Sequence, residues 1–230
     1  MLDKIIRHLS KRRQWWLHAR DLRHLRTMEE FRRYRERGGY VPSYLVVPEM
    51  TSRLKHRESE QLLDRSQLDV AGMRVLDVGP GYGDFLDVCR LRGALTVGVD
   101  FDPAVVRWLQ LRGHVAIRCN ILRTIRPLQD NLFDLIHLRG SIVVEYFTLV
   151  GEGRLRRLLI DLDHLLNPER GRVLMCPSFE VTRRRRQRKV VDPMTSRFTQ
   201  VVTEFGYRPL PPMSPIDDDP MYPVTYVRTA

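Results

Sequence analysis

The sequence has few cysteines and no long apolar run. Its three cysteines, Cys89, Cys119 and Cys176, are widely and irregularly spaced, a pattern that supports neither a disulfide framework nor a metal site. We therefore expect three reduced core cysteines in a cytosolic protein. No run of about eighteen apolar residues occurs, so no transmembrane helix is indicated. The first twenty residues carry six lysines and arginines without a long apolar centre, so we expect no secretory signal there.

Acidic residues are outnumbered, and the basic excess is unevenly distributed. The 230 residues include 39 lysines and arginines against 28 aspartates and glutamates, which gives a net charge of +11. Residues 1–40 carry +7 and residues 183–189 carry +6, so the rest of the chain is close to neutral. With 43% hydrophobic residues, this length suits one α/β domain with an extension.

The first basic segment has helical spacing over residues 2–37, and Gly38 and Gly39 end it. Two interpretations stay open. The segment is either a basic amphipathic helix on an anionic membrane surface, with its tryptophans at the interface, or a helix packed on the domain with its arginines in solvent. Residues 40–48 contain two prolines and suggest an extended connector. We therefore predict a basic helical N-terminal extension and connector over residues 1–50.

The most informative stretch is residues 74–85, an apolar run that breaks into three glycines and continues as an apolar-periodic segment. This order predicts a strand, a tight turn and a helix. Glycine accepts positive φ and lets a ligand approach the backbone, while the start of the helix offers free N–H groups. Gly79, Gly81 and Gly83 are spaced G-x-G-x-G, whereas dinucleotide-binding folds use G-x-G-x-x-G. Asp77 would also repel a diphosphate, so an NAD(P) enzyme is disfavoured.

Residues 75–85 resemble the first motif of the class I S-adenosylmethionine-dependent methyltransferases. Later segments resemble further landmarks of that family, in the family's order. These landmarks are the strand that ends in Asp100, residues 131–138 as the fourth strand, residues 143–146 as the segment after it, and residues 165–175 as a helix, turn and fifth strand.

The resemblance implies a Rossmann-like α/β domain over residues 51–230, with a seven-stranded, mostly parallel sheet and helices on both faces. The alternation of apolar segments agrees with this fold. The predicted helices cover residues 51–65, 84–92, 103–111, 154–166 and 193–205. The predicted strands cover residues 74–78, 94–100, 115–119, 133–138, 171–176, 207–210 and 224–228. The resemblance also implies that the last strand runs antiparallel.

S-adenosylmethionine is the cofactor that the resemblance implies, and no metal is implied. The residues assigned to it are Asp77, Gly79, Gly81 and Gly83 at the amino-acid end, Asp100 at the ribose, Phe101 on the adenine and Asn120 near the adenine amine. The family often has an acid at the last position, where Asn120 can still accept one hydrogen bond. Taken singly, the glycines could serve packing alone, and Asp100 could cap the helix that begins at Pro103.

A general base helps when the methyl acceptor is a hydroxyl, and the candidates lie in or after the fourth strand. Glu145 is the preferred candidate. His137 lies inside an apolar strand, where a histidine is more often a core residue than a base. Tyr146 stands where the family often has a histidine. Many such enzymes have no dedicated base, so that alternative stays open.

The second basic segment, Arg183 to Lys189, follows the fifth strand, where this family carries insertions that recognise substrates. Its six positive charges could bind phosphates of a saccharide, lipid headgroups or nucleic acid, and they are equally typical of a solvated loop. Together with the N-terminal helix, this segment suggests an anionic membrane surface or a phosphate-bearing substrate as partner. We expect a cytoplasmic protein, or one that is peripheral at the inner membrane surface.

Three functions stay open. The preferred one is methyl transfer to a hydroxyl of a small molecule or saccharide, chosen by elimination, because the sequence lacks a basic face interleaved with aromatics. It also lacks an Asn/Asp-Pro-Pro-aromatic motif after the fourth strand. A nucleic-acid methyltransferase would instead bind nucleic acid with a steep salt dependence. The third possibility is a catalytically silent relative that serves as a binding or scaffold subunit. Asn120 and Tyr146 support it, because both differ from the residues that the family often has at these positions.

Overall fold

The computed structural model describes residues 48–81, 83–143, 151–178, 188–210 and 225–229. The expected N-terminal helix, nearly all of the connector, most of the second basic segment, Glu145 and Tyr146 lie outside the described residues.

Helices and strands alternate along the described part of the chain. The helices are α1 (Pro48–Arg65), α2 (Asp84–Leu91), α3 (Pro103–Leu111), α4 (Glu152–Leu165) and α5 (Arg188–Glu204), with a short 3-10 helix at Arg126–Leu128. The strands are β1 (Arg74–Val78), β2 (Leu95–Asp100), β3 (Val115–Arg118), β4 (Leu135–Val143), β5 (Arg172–Ser178), β6 (Arg208–Pro209) and β7 (Tyr226–Thr229). None of the described helices has the length and apolarity needed to cross a bilayer.

The seven strands form one sheet in the order β3-β2-β1-β4-β5-β7-β6. Neighbours from β3 to β5 pair in parallel, and β7 is antiparallel to both β5 and β6. Because β1 pairs with β2 on one side and β4 on the other, the chain order reverses beside β1. Ligands of open α/β sheets bind outside the carboxyl ends of the strands at such a reversal. The predicted Rossmann-like fold and the antiparallel last strand are confirmed.

Apolar residues pack on both faces of the sheet. Successive residues of a strand point to opposite faces, so Leu76 packs with α4 and α5 while Val75 packs with α1 and α2. Helices therefore cover both faces, and the parallel strands are apolar on both sides. Cys89, Cys119 and Cys176 are buried and free, as predicted.

Three element boundaries differ from the sequence-based expectation by three residues or more, and the others differ by one or two residues at most. α1 begins at Pro48, which the sequence placed at the end of an extended connector. α5 begins at Arg188, although Pro193 was expected in its first turn because proline lacks an N–H. β4 continues past Leu138 to Val143, because pairing with β5 resumes after a register shift.

Candidate cofactor site

The three glycines form a left-handed bend between β1 and α2. The φ angles of Gly79, Gly81 and Gly83 are 69°, 54° and 84°, a region that glycine adopts without the steric clash of a Cβ. The Gly79 N–H donates to the Val99 carbonyl at 2.9 Å, and the Gly83 N–H donates to the Pro80 carbonyl at 2.8 Å. The bend is thus tied to β2 and leads directly into the N-terminus of α2.

Asp100 and Asn120 lie at neighbouring strand ends beside this bend. Asp100 is the last residue of β2, and its carbonyl accepts a hydrogen bond from the Cys119 N–H at 2.9 Å. The Asn120 side-chain carbonyl accepts a hydrogen bond from the Leu122 N–H at 3.1 Å, which leaves its second lone pair for another donor. Phe101 is 68% exposed, so its ring is available for packing against a ligand.

The Asp100 carboxyl is held in a local turn. Its Oδ1 accepts a hydrogen bond from the Asp102 N–H at 2.8 Å, so it stabilises the turn before α3 and does not cap the helix. Burial raises the pKa of Asp100 to about 6, although backbone hydrogen bonds oppose the rise and the charges of Asp102 and Asp77 add to it. The influence of Asp77 indicates that the two carboxyls lie near each other at the same edge of the sheet.

Asp77 pairs with His137 inside the sheet. The two residues are direct register partners on β1 and β4, and His137 Nδ1 lies 2.8 Å from Asp77 Oδ1. Both side chains are only 3% exposed. The Phe85 ring of α2 stacks on the imidazole, with centroids 3.7 Å apart. The acid that the sequence placed next to the cofactor therefore has a built-in partner, which sequence reasoning missed.

The other side of the imidazole faces a thiol. Burial alone would lower the pKa of His137, but the charge and hydrogen bond of Asp77, with a smaller effect of Cys176, raise it to about 9. The pKa of the Cys176 thiol is lowered: burial opposes this, and His137 outweighs it. His137 Nε2 is buried without a conventional hydrogen bond. A buried, protonated histidine cannot accept a proton from a substrate, so this position does not favour the role of general base.

An ion pair between α1 and β4 lies on the same face of the sheet. Arg139 Nη2 is 2.6 Å from Glu58 Oε2, and both side chains are about four-fifths buried. Arg139 is two residues beyond His137 and therefore points to the same face of β4. Sequence reasoning missed this pair. The alternation of His137 and Arg139 in an otherwise apolar strand was the available signal.

A second polar cluster joins α1, α2 and the turn after α3. Asp87 contacts Arg112, and its Oδ1 lies 3.1 Å from His114 Nε2. His56 Nδ1 on α1 lies 2.9 Å from Asp84 Oδ1 at the start of α2. Burial would raise the pKa of Asp87, but Arg112 and the histidines lower it. This cluster fastens α1 and α3 to the helix that follows the glycine bend.

The carboxyl ends of β1 and β2 suit a nucleoside joined to an amino acid. The carboxylates of Asp77 and Asp100 have the chemistry to bind an ammonium group and ribose hydroxyls respectively. Asn120 and Phe101 lie at the adjoining strand ends. Within the described residues, no group of His, Cys, Asp and Glu side chains has the arrangement of a metal site.

Comparison with known proteins agrees with this arrangement. Residues 50–145 match the family model of a methyltransferase domain. No curated protein sequence matches the chain significantly.

Solved structures with the same fold include three that align over most of both chains. A Lactococcus lactis protein provisionally assigned as a hemolysin is 20% identical, with a TM-score of 0.54 over 76% of this chain and 85% of that chain. A Methanococcus maripaludis protein, provisionally assigned as an S-adenosyl-L-methionine-dependent methyltransferase, is 15% identical, with a TM-score of 0.52 over 76% of this chain and 84% of that chain. A SAM-dependent methyltransferase from Archaeoglobus fulgidus is 14% identical, with a TM-score of 0.50 over 75% and 92%.

At these low identities the structural likeness concerns the fold alone, and the family model matches the part of the chain that carries the glycine bend. The matched residues 50–145 include α1, the glycine bend and the strand end at Asp100. Residues 50–145 therefore form a methyltransferase domain, and the described part of the chain has the fold of S-adenosylmethionine-dependent methyltransferases.

Proposed function

We propose that the chain transfers a methyl group from S-adenosylmethionine to a hydroxyl of a small molecule or saccharide. One observation supports the part of this proposal that concerns binding of S-adenosylmethionine. Three left-handed glycines at the carboxyl end of β1 lie beside the Asp100 carboxyl at the carboxyl end of β2, where the strand order reverses. That edge of the sheet is the expected ligand crevice.

In this proposal each of the described side chains contacts a different part of the cofactor. Asp77 and the glycine bend receive the amino-acid end, because its ammonium favours a carboxylate and glycine lets it come close to the backbone. Asp100 accepts hydrogen bonds from the ribose hydroxyls. Phe101 packs on the adenine, and Asn120 accepts a hydrogen bond from the adenine amine.

Methyl transfer needs positioning more than it needs acid–base groups. The bound cofactor supplies an electrophilic methyl group on a sulfonium, and the protein holds the acceptor in line with it and excludes water. The acceptor hydroxyl loses its proton to a base or to solvent. Since His137 is buried against Asp77, Glu145 stays the candidate base, and its role remains a prediction.

The acceptor class rests on what surrounds the carboxyl end of β4. This strand continues as Leu138-Arg139-Gly140-Ser141, which lacks the Asn/Asp-Pro-Pro-aromatic pattern of enzymes that methylate amino groups of nucleic acids. The basic segment at residues 183–189 adds a way to bind phosphate. A phosphate-bearing saccharide, or a hydroxyl compound at an anionic membrane surface, suits both features.

Calorimetry with S-adenosylmethionine and S-adenosylhomocysteine tests the cofactor half. We expect both to bind and NADH not to bind. Asp100→Ala should lose cofactor affinity while leaving the fold intact, and near-wild-type affinity in that variant would remove the proposed ribose contact. A chain that binds neither compound would be a silent scaffold.

Labelled methyl transfer tests the acceptor half. The chain is incubated with methyl-labelled cofactor and fractionated cell extract, and the labelled product is separated by class. Label in a hydroxyl compound or glycan supports the proposal. Label in RNA or DNA, with binding that weakens steeply as salt rises, would replace it with a nucleic-acid methyltransferase.

A further inference from the structure

We infer that His137 is a positioning residue for the amino-acid end of the cofactor, acting through Asp77. The inference rests on the proposed cofactor site. It adds that the ammonium is received by a carboxylate whose orientation is set by a hydrogen bond from the neighbouring strand.

The geometry begins with strand register. Asp77 and His137 face each other on adjacent parallel strands, and the 2.8 Å contact between Oδ1 and Nδ1 is a full hydrogen bond. Phe85 stacks on the imidazole at an interplanar angle of 19° and blocks rotation of the ring. The imidazole is therefore fixed from one side by packing and from another by the carboxylate.

Burial makes this hydrogen bond necessary. Asp77 is 2% exposed, and burying its carboxylate costs free energy unless hydrogen-bond donors replace the lost water. His137 supplies such a donor to Oδ1. Since Oδ1 is taken, Oδ2 is the oxygen that remains to accept a hydrogen bond from an ammonium, and the carboxylate plane can no longer turn freely.

The pair lies close to the glycine bend along β1. Asp77 lies one residue before the end of β1 and two residues before Gly79, and its charge contributes to the raised pKa of Asp100 on the next strand. A carboxylate at this point can reach a group bound against the glycine bend. His137 itself is too buried to touch the cofactor, so its effect is indirect.

A purely structural core pair is the competing explanation, and two ligands separate the alternatives. S-adenosylhomocysteine carries the amino-acid end, and 5'-methylthioadenosine shares the nucleoside but lacks that end. A structural role predicts equal loss of affinity for both compounds. A positioning role predicts loss for S-adenosylhomocysteine alone.

The experiment measures both dissociation constants by calorimetry for the wild type, three variants of the Asp77–His137 pair and one control variant. His137→Leu removes the donor and should weaken S-adenosylhomocysteine about tenfold or more, while the affinity for 5'-methylthioadenosine changes less than about twofold. His137→Asn keeps an N–H donor near the position of Nδ1 and should restore most of the lost affinity. Asp77→Asn removes the charge and should give the same selective loss as His137→Leu.

Asp134→Asn provides a control at the opposite edge of the sheet, where another buried carboxyl has no role in the cofactor site. It should leave both affinities unchanged. Equal weakening of the two ligands by His137→Leu, or no rescue by His137→Asn, would overturn the inference. If His137→Leu does not fold, the other two variants are compared. The inference then requires that His137→Asn keeps most of the affinity for S-adenosylhomocysteine and that Asp77→Asn loses affinity for this ligand alone. If neither ligand binds the wild type, the proposed function fails instead.

Discussion

At the scale of single residues, the Asp100 carboxylate lowers the stability of the fold at neutral pH while it serves the proposed binding of the cofactor. Burial raises the pKa of its carboxyl to about 6 in the folded chain, above its ordinary value of 3.8. The folded state therefore holds this proton more tightly than the unfolded state. The contribution of Asp100 to the free energy of unfolding decreases as the pH rises from about 4 to 6, and the ionised group opposes folding at neutral pH.

Asp100→Asn should relieve this opposition. We expect the variant to be more stable than the wild type by about 1–2 kcal/mol at pH 7, and no more stable at pH 4. Its affinity for S-adenosylmethionine should fall, because an amide is a weaker acceptor for ribose hydroxyls than a carboxylate. Urea unfolding at the two pH values, with calorimetry at pH 7, measures both effects. Lower stability at pH 7 would contradict the argument.

Gly83 combines a left-handed backbone with a tight contact. Its φ is +84°, and a Cβ there would lie 2.7 Å from Leu109 Cδ2. Gly72 offers a matched comparison, because its φ is +72° and a Cβ there would meet no atom within 4 Å. Both alanine variants lose about 1–2 kcal/mol to the left-handed conformation.

We predict that Gly83→Ala is less stable than Gly72→Ala by a further ~1–3 kcal/mol, the usual range for overpacking. Denaturant unfolding of the two variants gives the difference directly. Cofactor affinity should fall in Gly83→Ala alone, since only that glycine belongs to the bend. Equal stability of the two variants would show that Leu109 moves aside easily.

At the scale of elements, α1 is fastened to α2 by charge as well as by apolar packing. Burial lowers the pKa of His56, but the hydrogen bond and charge of Asp84, together with the charge of Asp87, raise it overall above 6.5. A histidine with a raised pKa in the folded state stabilises that state fully below pH 6.5. This contribution is lost as the pH rises through the folded-state pKa.

His56→Gln should remove this pH dependence. The variant should match the wild type above the folded-state pKa and be less stable by about 1 kcal/mol or less at pH 6, because the side chain is partly exposed. Amide hydrogen exchange in α1, measured at both pH values, checks where the loss occurs. Protection that falls in α4 but not in α1 would contradict this account.

Asp134 joins elements at the amino ends of the strands, far from the glycine bend along β1 and β4. It accepts hydrogen bonds from the Arg74 N–H at 2.9 Å, Arg170 Nε at 2.8 Å and Asn167 Nδ2 at 2.9 Å. Burial would raise the pKa of Asp134, but these donors lower it. Its stabilising effect is therefore complete at neutral pH and is lost only in acid.

Asp134→Ala should cost about 2–4 kcal/mol of stability at pH 7, because three donors lose a buried acceptor. Cofactor affinity of the folded fraction should stay at the wild-type value. Thermal unfolding and calorimetry on the same sample test both statements. A selective loss of cofactor affinity would mean that the two edges of the sheet are coupled.

The local sequence did not predict where some helices and strands begin and end. Pro193 suggested the start of α5, but that helix begins at Arg188, so the proline lies inside the helix. β4 includes Gly140 and Ser141, which are weak strand formers, and pairing with β5 defines the strand there. Strand pairing and packing depend on residues that are distant along the chain, so a short stretch of sequence does not predict them.

At the scale of the whole molecule, the sequence predicted the order of elements and the glycine bend well. Both depend on periodicity and on the conformational freedom of glycine, which are local properties. The pairs Asp77–His137 and Glu58–Arg139 join residues about sixty to eighty positions apart along the chain. They depend on strand register and on the docking of α1, so a sequence pattern could suggest their members but not their partners.

The position of β7 has a consequence for synthesis of the chain. This strand comes from residues 226–229, yet it lies between β5 and β6, and its Tyr226 is buried against the rest of the sheet. A nascent chain that still lacks these residues has no neighbour for β6 and leaves the outer edge of β5 bare. We therefore expect the sheet to be completed only after residues 226–229 have been synthesised, and until then the outer edge of β5 stays exposed.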